Sequence, residues 1–331
     1  MDQNSLAKYK QSADRAVEWL VHHLQNDGSY DLANNDLAGY YKSPYLFYLS
    51  GQGEIANKLL TYIKKTFMRD NGDFTTSPEI KSENAVLCEY WAYINGWITL
   101  TAQKMGRFDI AYPAYQYLKT FHHPTHGGFT TTKPYGQADN VVDILMTAHL
   151  GLTALHFGEI EIAKHAGHFL AQFRFLQPNS SAFYLRISHD SQIITDFPAD
   201  SALFFVVNSE QPNQAYFMLG YPIAFLGKLY QATGELLFLE TAKNYLDDAL
   251  CCENNIRTFY FSHKVAWGAA IIANLTQDKQ YLELATDIAD YLVSIQDKSG
   301  GWLLDEAPYI SFDQTAEIAL WLREISAELS N

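Results

Sequence analysis

Five residues in this chain are of types suited to moving protons: Asp36, Asp143, His263, Asp313 and Glu317. Spacing brings the first four toward one level, and Glu317 stands four residues after Asp313. Several apolar helical stretches end in glycine, at Gly51, Gly158 and Gly234, and aligning them there sets Asp36 opposite Asp143. His263 and Asp313 open the last two such stretches at about the same level. Carboxyl groups whose pKa values are pushed apart are what general acid/base chemistry needs. Asp143 follows Asp139 by four residues and falls one turn inside its predicted helix, where a cap is out of place. It is therefore expected to be the acid or base, with the other four as its partners. Asp36, Asp139 and Asp313 sit at predicted helix starts and could equally cap free N–H groups.

A second set of residues suits substrate binding: Lys42, Tyr41, Glu89, Trp91, Asp139, His149, Tyr221 and Trp267. Lys42, within YYKSPY, is a lysine on an otherwise apolar helix. It needs a partner there, and Asp36 or an anionic substrate would serve. His149, between Ala148 and Leu150, reads equally as a core histidine. The aromatics could stack on a sugar or an apolar ligand, or face a cationic centre. His122, His123 and His126 lack metal-ligand spacing, so no metal is expected. No phosphate loop, dinucleotide fingerprint or nucleophile elbow occurs, so no cofactor is expected either.

These residues need a scaffold, and repeats supply it. The stretch YLVSIQDKSGGW, from Tyr291 to Trp302, reads as a helix end, a glycine turn and a closing aromatic. Weaker copies occur at Trp19–Tyr30, Tyr62–Phe74, Tyr117–Phe129, Phe169–Tyr184 and Tyr245–Phe261. Repeats of this kind point to an array of helical hairpins. Apolar periodicity predicts twelve helices, among them Asp36–Gly51, Glu83–Met105, Asp139–Phe157, Gln214–Thr233 and Asp313–Leu329. Every second helix is apolar all round, which suits a buried inner stave. The expected fold is all-α, an (α/α)6 toroid of six hairpins with a short β-hairpin insertion around 182–197. No linker divides the 331 residues, so one domain, 1–331, is expected.

A net charge of −14 argues against nucleic acid and anionic membranes as partners. No apolar run is long enough to span a bilayer, and the polar N-terminus lacks a signal core. Cys88, Cys251 and Cys252 make no disulfide framework, which suits a cytoplasmic setting. A small molecule is the expected partner, and the sequence leaves a homodimer open.

Tyr291, Leu292, Gln296, Gly300 and Trp302 resemble the QW repeat of triterpene cyclases. HGGF, ending at Phe129, and a following helix that opens with Asp139 resemble the repeats of protein prenyltransferase β subunits. The resemblance implies the α/α-toroid superfamily, with its site in the central cavity. The families' catalytic signatures are absent: there is no DxDD, no DDxxD, and Asp313 is followed by Gln-Thr-Ala rather than the zinc pattern. Other (α/α)6 enzymes, the N-acylglucosamine 2-epimerase type and the unsaturated glucuronyl hydrolases, match no motif here. The leading expectation is metal-independent acid/base cyclisation or isomerisation of a small, largely apolar metabolite, as in biosynthesis. The alternatives are a carbohydrate-active enzyme, either a sugar epimerase or isomerase or an unsaturated uronyl hydrolase, and a non-enzymatic toroid that binds a ligand or peptide.

Overall fold

A computed structural model describes residues 3–137, 141–179, 181–188, 190–304 and 307–330. They form two compact units. One holds Met1–Thr120 with Val293–Ser326, the other Phe121–Leu292 with Ala327–Asn331.

The first unit begins with α1 (Gln3–His22), α2 (Ser43–Leu49) and α3 (Gly53–Phe67). It continues with α4 (Ala85–Glu89), α5 (Tyr93–Lys104) and α6 (Phe108–Lys119), and it holds most of α13 (Pro308–Glu328). α3 buries Ala56, Leu59, Leu60, Ile63 and Phe67, a single stripe at helical spacing. α5 buries every residue from Tyr93 to Ala102. One-sided and all-round burial thus mark the outer and inner helices, as the apolar pattern requires.

Two predicted helices are broken. The stretch expected from Asp36 is a 3-10 turn, Leu37–Gly39, followed by α2, with Pro44 in its first turn. The stretch expected from Glu83 divides at Tyr90–Ala92 into α4 and α5.

Three of the repeated turns share one geometry. After α1, α3 and α6 the chain closes antiparallel bridges, Leu24–Tyr30, Met68–Phe74 and His122–Phe129. These three turns and the one that ends at Trp302 each contain a glycine with positive φ, such as Gly72 at +88° and Gly300 at +101°, whereas the copies at 169–184 and 245–261 have no glycine. A Cβ on Gly72 would overlap the Pro113 carbonyl of α6. A Cβ on Gly300 would stand 2.5 Å from the Arg15 carbonyl of α1. The glycine is therefore demanded both by its φ and by the next outer helix lying against it. Gln296 staples the last turn: its Nε2 donates to the carbonyls of Gly300 (2.7 Å) and Ser12 (2.9 Å), and its Oε1 accepts from Ser12 Oγ (2.7 Å) and from Arg15. The Gln, Gly and Trp of the motif are thus parts of a joint between helices.

The second unit holds α7 (Ile144–His156), α8 (Ile160–Phe175), α9 (Phe217–Thr233), α10 (Leu236–Leu250), α11 (His263–Thr276) and most of α12 (Lys279–Ser294). α9 packs on both α7 and α11, and α8 and α10 cover these from outside. α7 buries Ile144 to Ala154 and α11 buries His263 to Ala273 without a break.

Among the described residues, five short strands accompany these helices: β1 (Phe129–Thr130), β2 (Val142–Asp143), β3 (Ala182–Tyr184), β4 (Arg186–Ile187) and β5 (Val206–Asn208). They make two antiparallel sheets, β1-β2-β4 and β3-β5. The two arms of the hairpin expected at 182–197 meet at the Ile187–Ile193 bridge, with the Ile194 N–H donating to the Arg186 carbonyl (3.0 Å). β3 and β4 both belong to its first arm and also pair outside the hairpin, β3 with β5 and β4 with β2, so that arm is tied down along its length.

No helix among the described residues is long and apolar enough to cross a membrane.

Candidate active site

In the first unit, Lys42, Asp313 and Glu317 come together. The Lys42 ammonium lies 2.9 Å from Asp313 Oδ1 and contacts Glu317 Oε2. Lys42 and Glu317 are each 3% exposed and Asp313 is 14% exposed. The charge also faces the rings of Tyr41 (4.8 Å) and Tyr93 (5.9 Å), and Trp321 Nε1 donates to Glu317 Oε1 (3.3 Å). α13 begins at Pro308, so Asp313 is inside the helix rather than at its start, and Glu317 stands one turn further on the same face. Asp313 therefore pairs with a lysine instead of capping. Burial pushes the Asp313 carboxyl above its ordinary range, with Glu317 adding to the rise and Lys42 opposing it. Burial alone would pull Lys42 down, but Asp313 and Glu317 outweigh it and hold the ammonium charged. Burial, with Asp313 next in effect, holds Tyr41 protonated. Two carboxyls on one lysine leave a proton to spare, which is a donor's arrangement.

Asp36 is not part of this cluster and is not the partner of Lys42. Its Oδ1 accepts from the Ala38 N–H (2.7 Å) and Ser82 Oγ (2.8 Å), and its Oδ2 from the Glu83 N–H (2.7 Å). It caps the 3-10 turn and ties it to the segment before α4. Glu89 ends α4 and is half-buried.

Trp91 donates from Nε1 to Asp73 Oδ2 (2.8 Å), beside a fully buried lysine, Lys81. Lys81 donates to Asp73 Oδ1 (2.7 Å), the Phe74 carbonyl and Asn95 Oδ1. Burial lowers the Lys81 pKa to about 8, and Asp73 partly offsets the fall. These contacts fix the turn after α3 to α5, and Trp91 is held there as well.

In the second unit α9 packs between α7 and α11, with Tyr221 against His149 of α7 and Gly220 against the Lys264 backbone at the start of α11. Asp143 is the last residue of β2 and the N-cap of α7, and accepts from the Met146 N–H (3.0 Å). It is not one turn inside a helix, because the helix begins at Ile144. Across the sheet Asp143 is paired with Arg186, whose Nε is 3.5 Å from Asp143 Oδ2. Arg186 is 2% exposed, and its guanidinium lies over the rings of Phe205 (4.7 Å) and Phe204 (5.5 Å).

His263 opens α11 and is 1% exposed. Its Nδ1 is 2.7 Å from the Tyr260 carbonyl, so Nδ1 carries the proton and Nε2 is the basic nitrogen. Lys264 Nζ stands 3.0 Å from that Nε2. The same ammonium faces the rings of Phe217 (5.1 Å) and Tyr221 (5.5 Å). Tyr221 in turn touches His149 (5.1 Å) and Trp267 (6.0 Å), both edge to face. Close approach makes the cluster: a Cβ on Gly220 would lie 2.5 Å from the Val265 amide, so only glycine lets α9 meet α11 here. His149, Tyr221 and Trp267 thus form one run of ring contacts, and Tyr221 also faces the lysine beside His263, a grouping the sequence spacing does not single out. Asp139 lies outside the described residues.

The sequence reading passes over two members of this site. Lys264 sits in HKVAW, where a lysine on an apolar helix is the same signal that singles out Lys42 and could have found it. Arg186 lies in a two-residue strand, too short to show alternation. Among the described residues no group of three or more His, Cys, Asp or Glu is gathered as a metal site.

No protein-family model matches the chain, and no curated protein matches it. Solved structures do. A D-mannose isomerase superposes with a TM-score of 0.72 at 13% identity, covering 97% of each chain. An α-mannanase of glycoside hydrolase family 76 from Bacteroides thetaiotaomicron gives 0.66 at 14% identity, covering 98% of this chain and 97% of that one. An unsaturated glucuronyl hydrolase specific for heparin gives 0.61 at 14% identity, covering 98% of each. These names are those of sugar enzymes and lend the terpenoid-cyclase resemblance no support. At such identities the likeness establishes the architecture, and the chain is an (α/α)6 toroid with small antiparallel sheets.

Proposed function

We propose that this protein is a carbohydrate-active enzyme, and within that class a sugar isomerase or epimerase that works by proton transfer. One observation carries the reading: the buried pair of His263 Nε2 and Lys264 Nζ, 3.0 Å apart at the joined N-termini of α9 and α11. Moving a proton next to a sugar carbonyl needs a base and a cation for the oxygen that gains charge. In this reading Lys264 turns its ammonium from Nε2 to the carbonyl oxygen. Nε2 then takes the proton from the adjacent carbon while Lys264 gives one to the carbonyl oxygen, and an enediol forms. Return of the first proton to the former carbonyl carbon, as the hydroxyl on the adjacent carbon gives its proton back to Lys264, yields the isomer. Protonation of the adjacent carbon on its opposite face, with the first hydroxyl giving its proton back to Lys264, yields the epimer. In this reading His149, against Tyr221, is the second acid. Tyr221 and Trp267 shield the reaction from water and give the sugar an aromatic wall.

The likeness to the D-mannose isomerase supports this class. The mannanase reading is weaker. In an α-1,6-mannanase of Salegentibacter, an inactive variant replaces two adjacent aspartates. Here the sequence holds one Asp-Asp pair, Asp247-Asp248. It lies on the outer helix α10, where Asp248 is bound by Arg174. A second reading, hydrolysis, rests on Asp313 and Glu317, because a raised carboxyl beside another is what a glycosidase uses. The likeness to a mannose isomerase, a mannanase and a glucuronyl hydrolase lends cyclisation of an apolar metabolite no support. In this reading the 331 residues act as one domain, and the free thiols Cys88, Cys251 and Cys252 suit a reducing compartment.

The test is incubation with D-mannose and related aldoses in D2O, followed by NMR. Solvent deuterium should enter at C2 as the ketose or epimer appears, and His263→Asn or Lys264→Met should stop it while the fold persists. Release of sugar from a mannan or an unsaturated uronide without such exchange would move the assignment to the hydrolase reading.

A further inference from the structure

A cavity of about 440 Å³ lies in the second unit, between the C-terminal ends of α8 and α10 and the β3-β5 sheet. None of the residues given acid/base roles above lines it. That size falls in the range of about 300–1,000 Å³ typical of small-molecule sites. Its floor is apolar, with Phe183, Val207 and Leu219. Its rim carries Arg174, Asn179, Asp247, Asp248, Ser209 and Cys251.

The charges exclude two ligand classes. Arg174 is committed to Asp248 through Nε and through Nη2 (2.8 Å). One arginine against two aspartates leaves the wall net negative, which disfavours a phosphate or carboxylate. A bare ammonium would answer Asp247, whose Oδ1 already accepts from Tyr281 (3.0 Å). It would leave the remaining donors unanswered, namely Arg174 Nη1 and the Asn179 amide, whose Oδ1 is held by Ser181. A ligand that both donates and accepts, carries no charge and has an apolar face answers all of them.

We propose that this cavity binds a neutral polyol of monosaccharide to disaccharide size, as a site separate from the His263–Lys264 pair. The polyol donates to Asp247 Oδ2 and accepts from Arg174 Nη1 and Asn179 Nδ2, with its C–H face on Phe183 and Leu219. Leu219 gives the site a route to the acid/base cluster. It lies in the first turn of α9, between Phe217 and Tyr221, the two residues whose rings face Lys264. A ligand seated on Leu219 therefore bears on the turn that positions those rings.

Cys251 supplies the readout, because it is exposed on the rim while Cys88 and Cys252 are half-buried. Burial pushes the Cys252 thiol up to about 12, so it alkylates slowly. The probe is myo-inositol, which has no carbonyl and cannot be isomerised. It is used at concentrations on the order of 100 mM, enough to saturate a site of millimolar affinity. Iodoacetamide labelling resolved by peptide mass spectrometry should slow at least threefold at Cys251 and stay unchanged at Cys88. Inorganic phosphate should give no protection, and Asp247→Asn with Asn179→Ala should abolish the inositol effect. An unchanged Cys251 rate, or equal protection by phosphate, would overturn the proposal. The protection should survive in His263→Asn, so failure of the isomerase reading leaves this result standing.

Discussion

Asp143 and Arg186 face each other across the β2-β4 pair, and the same carboxylate caps α7. One side chain thus holds a helix start, a strand register and a buried cation. Asp143→Ala should cost roughly 1 kcal/mol for the lost cap. It should cost about 3–5 kcal/mol more for the arginine left without its strand partner. Asp143→Asn keeps the cap acceptor and should lose the second part only. Chemical denaturation of the two variants measures the difference. Equal stability of Asp143→Ala and the parent would remove the pair from this structural role.

The Lys42 cluster has an excess of acid, and this sets its response to pH. Asp313 is raised in the folded state, so its contribution favours folding below the unfolded carboxylate value and is lost as pH rises through the folded one. Above that point the ionised Asp313 works against the fold. Asp313→Asn should therefore raise the thermal midpoint near pH 8, with the gain fading toward pH about 4. Lys42→Met should do the reverse and cost about 3–5 kcal/mol at neutral pH, because two buried carboxyls lose their cation. Thermal scans across pH decide both.

The turn glycines divide into two kinds. Gly72 combines positive φ with a neighbouring carbonyl, while Gly51, at φ +73°, has nothing within 4 Å of its absent Cβ. Gly51→Ala should cost about 1–2 kcal/mol, the strain of a left-handed residue. Gly72→Ala must also push α6 away and should cost clearly more. Denaturant midpoints of the two variants, compared side by side, test whether the repeats are joined by these contacts.

His122 and His126 are half-buried, and their pKa values are lowered to about 4, chiefly by burial and then by neighbouring histidines. A depressed base favours the fold above its unfolded value of 6.5 and loses that contribution as pH falls toward 4. The thermal midpoint should drop between pH 6.5 and 5. His122→Gln and His126→Gln should each flatten that drop, and an unchanged slope in both would reject this source.

The helices were legible because their apolar residues recur at helical spacing, and all-round burial separated inner from outer members. The exceptions are local. Two-residue strands such as β2 have no period to read, so Asp143 appeared to lie inside a helix that begins one residue later. α13 starts at Pro308, a good first-turn residue, which moves Asp313 from a cap to an interior position. Lys81 and Asp73 lie in a loop, and only the break between α4 and α5 brings them to Trp91 and Asn95. Lys42 declared itself as a misplaced charge, although its partners proved to be Asp313 and Glu317 rather than Asp36.

The staple made by Gln296 has a consequence for how the chain is assembled. It binds Ser12 across 284 residues, Arg323 binds Asp14 across 309, and Ser326 reaches Leu6 across 320. α1 therefore finds its lasting seat only once residues 296 to 326 are in place, and the loop-closure entropy falls on that step. The hairpins between can form one after another, while α1 waits for partners that lie far along the chain.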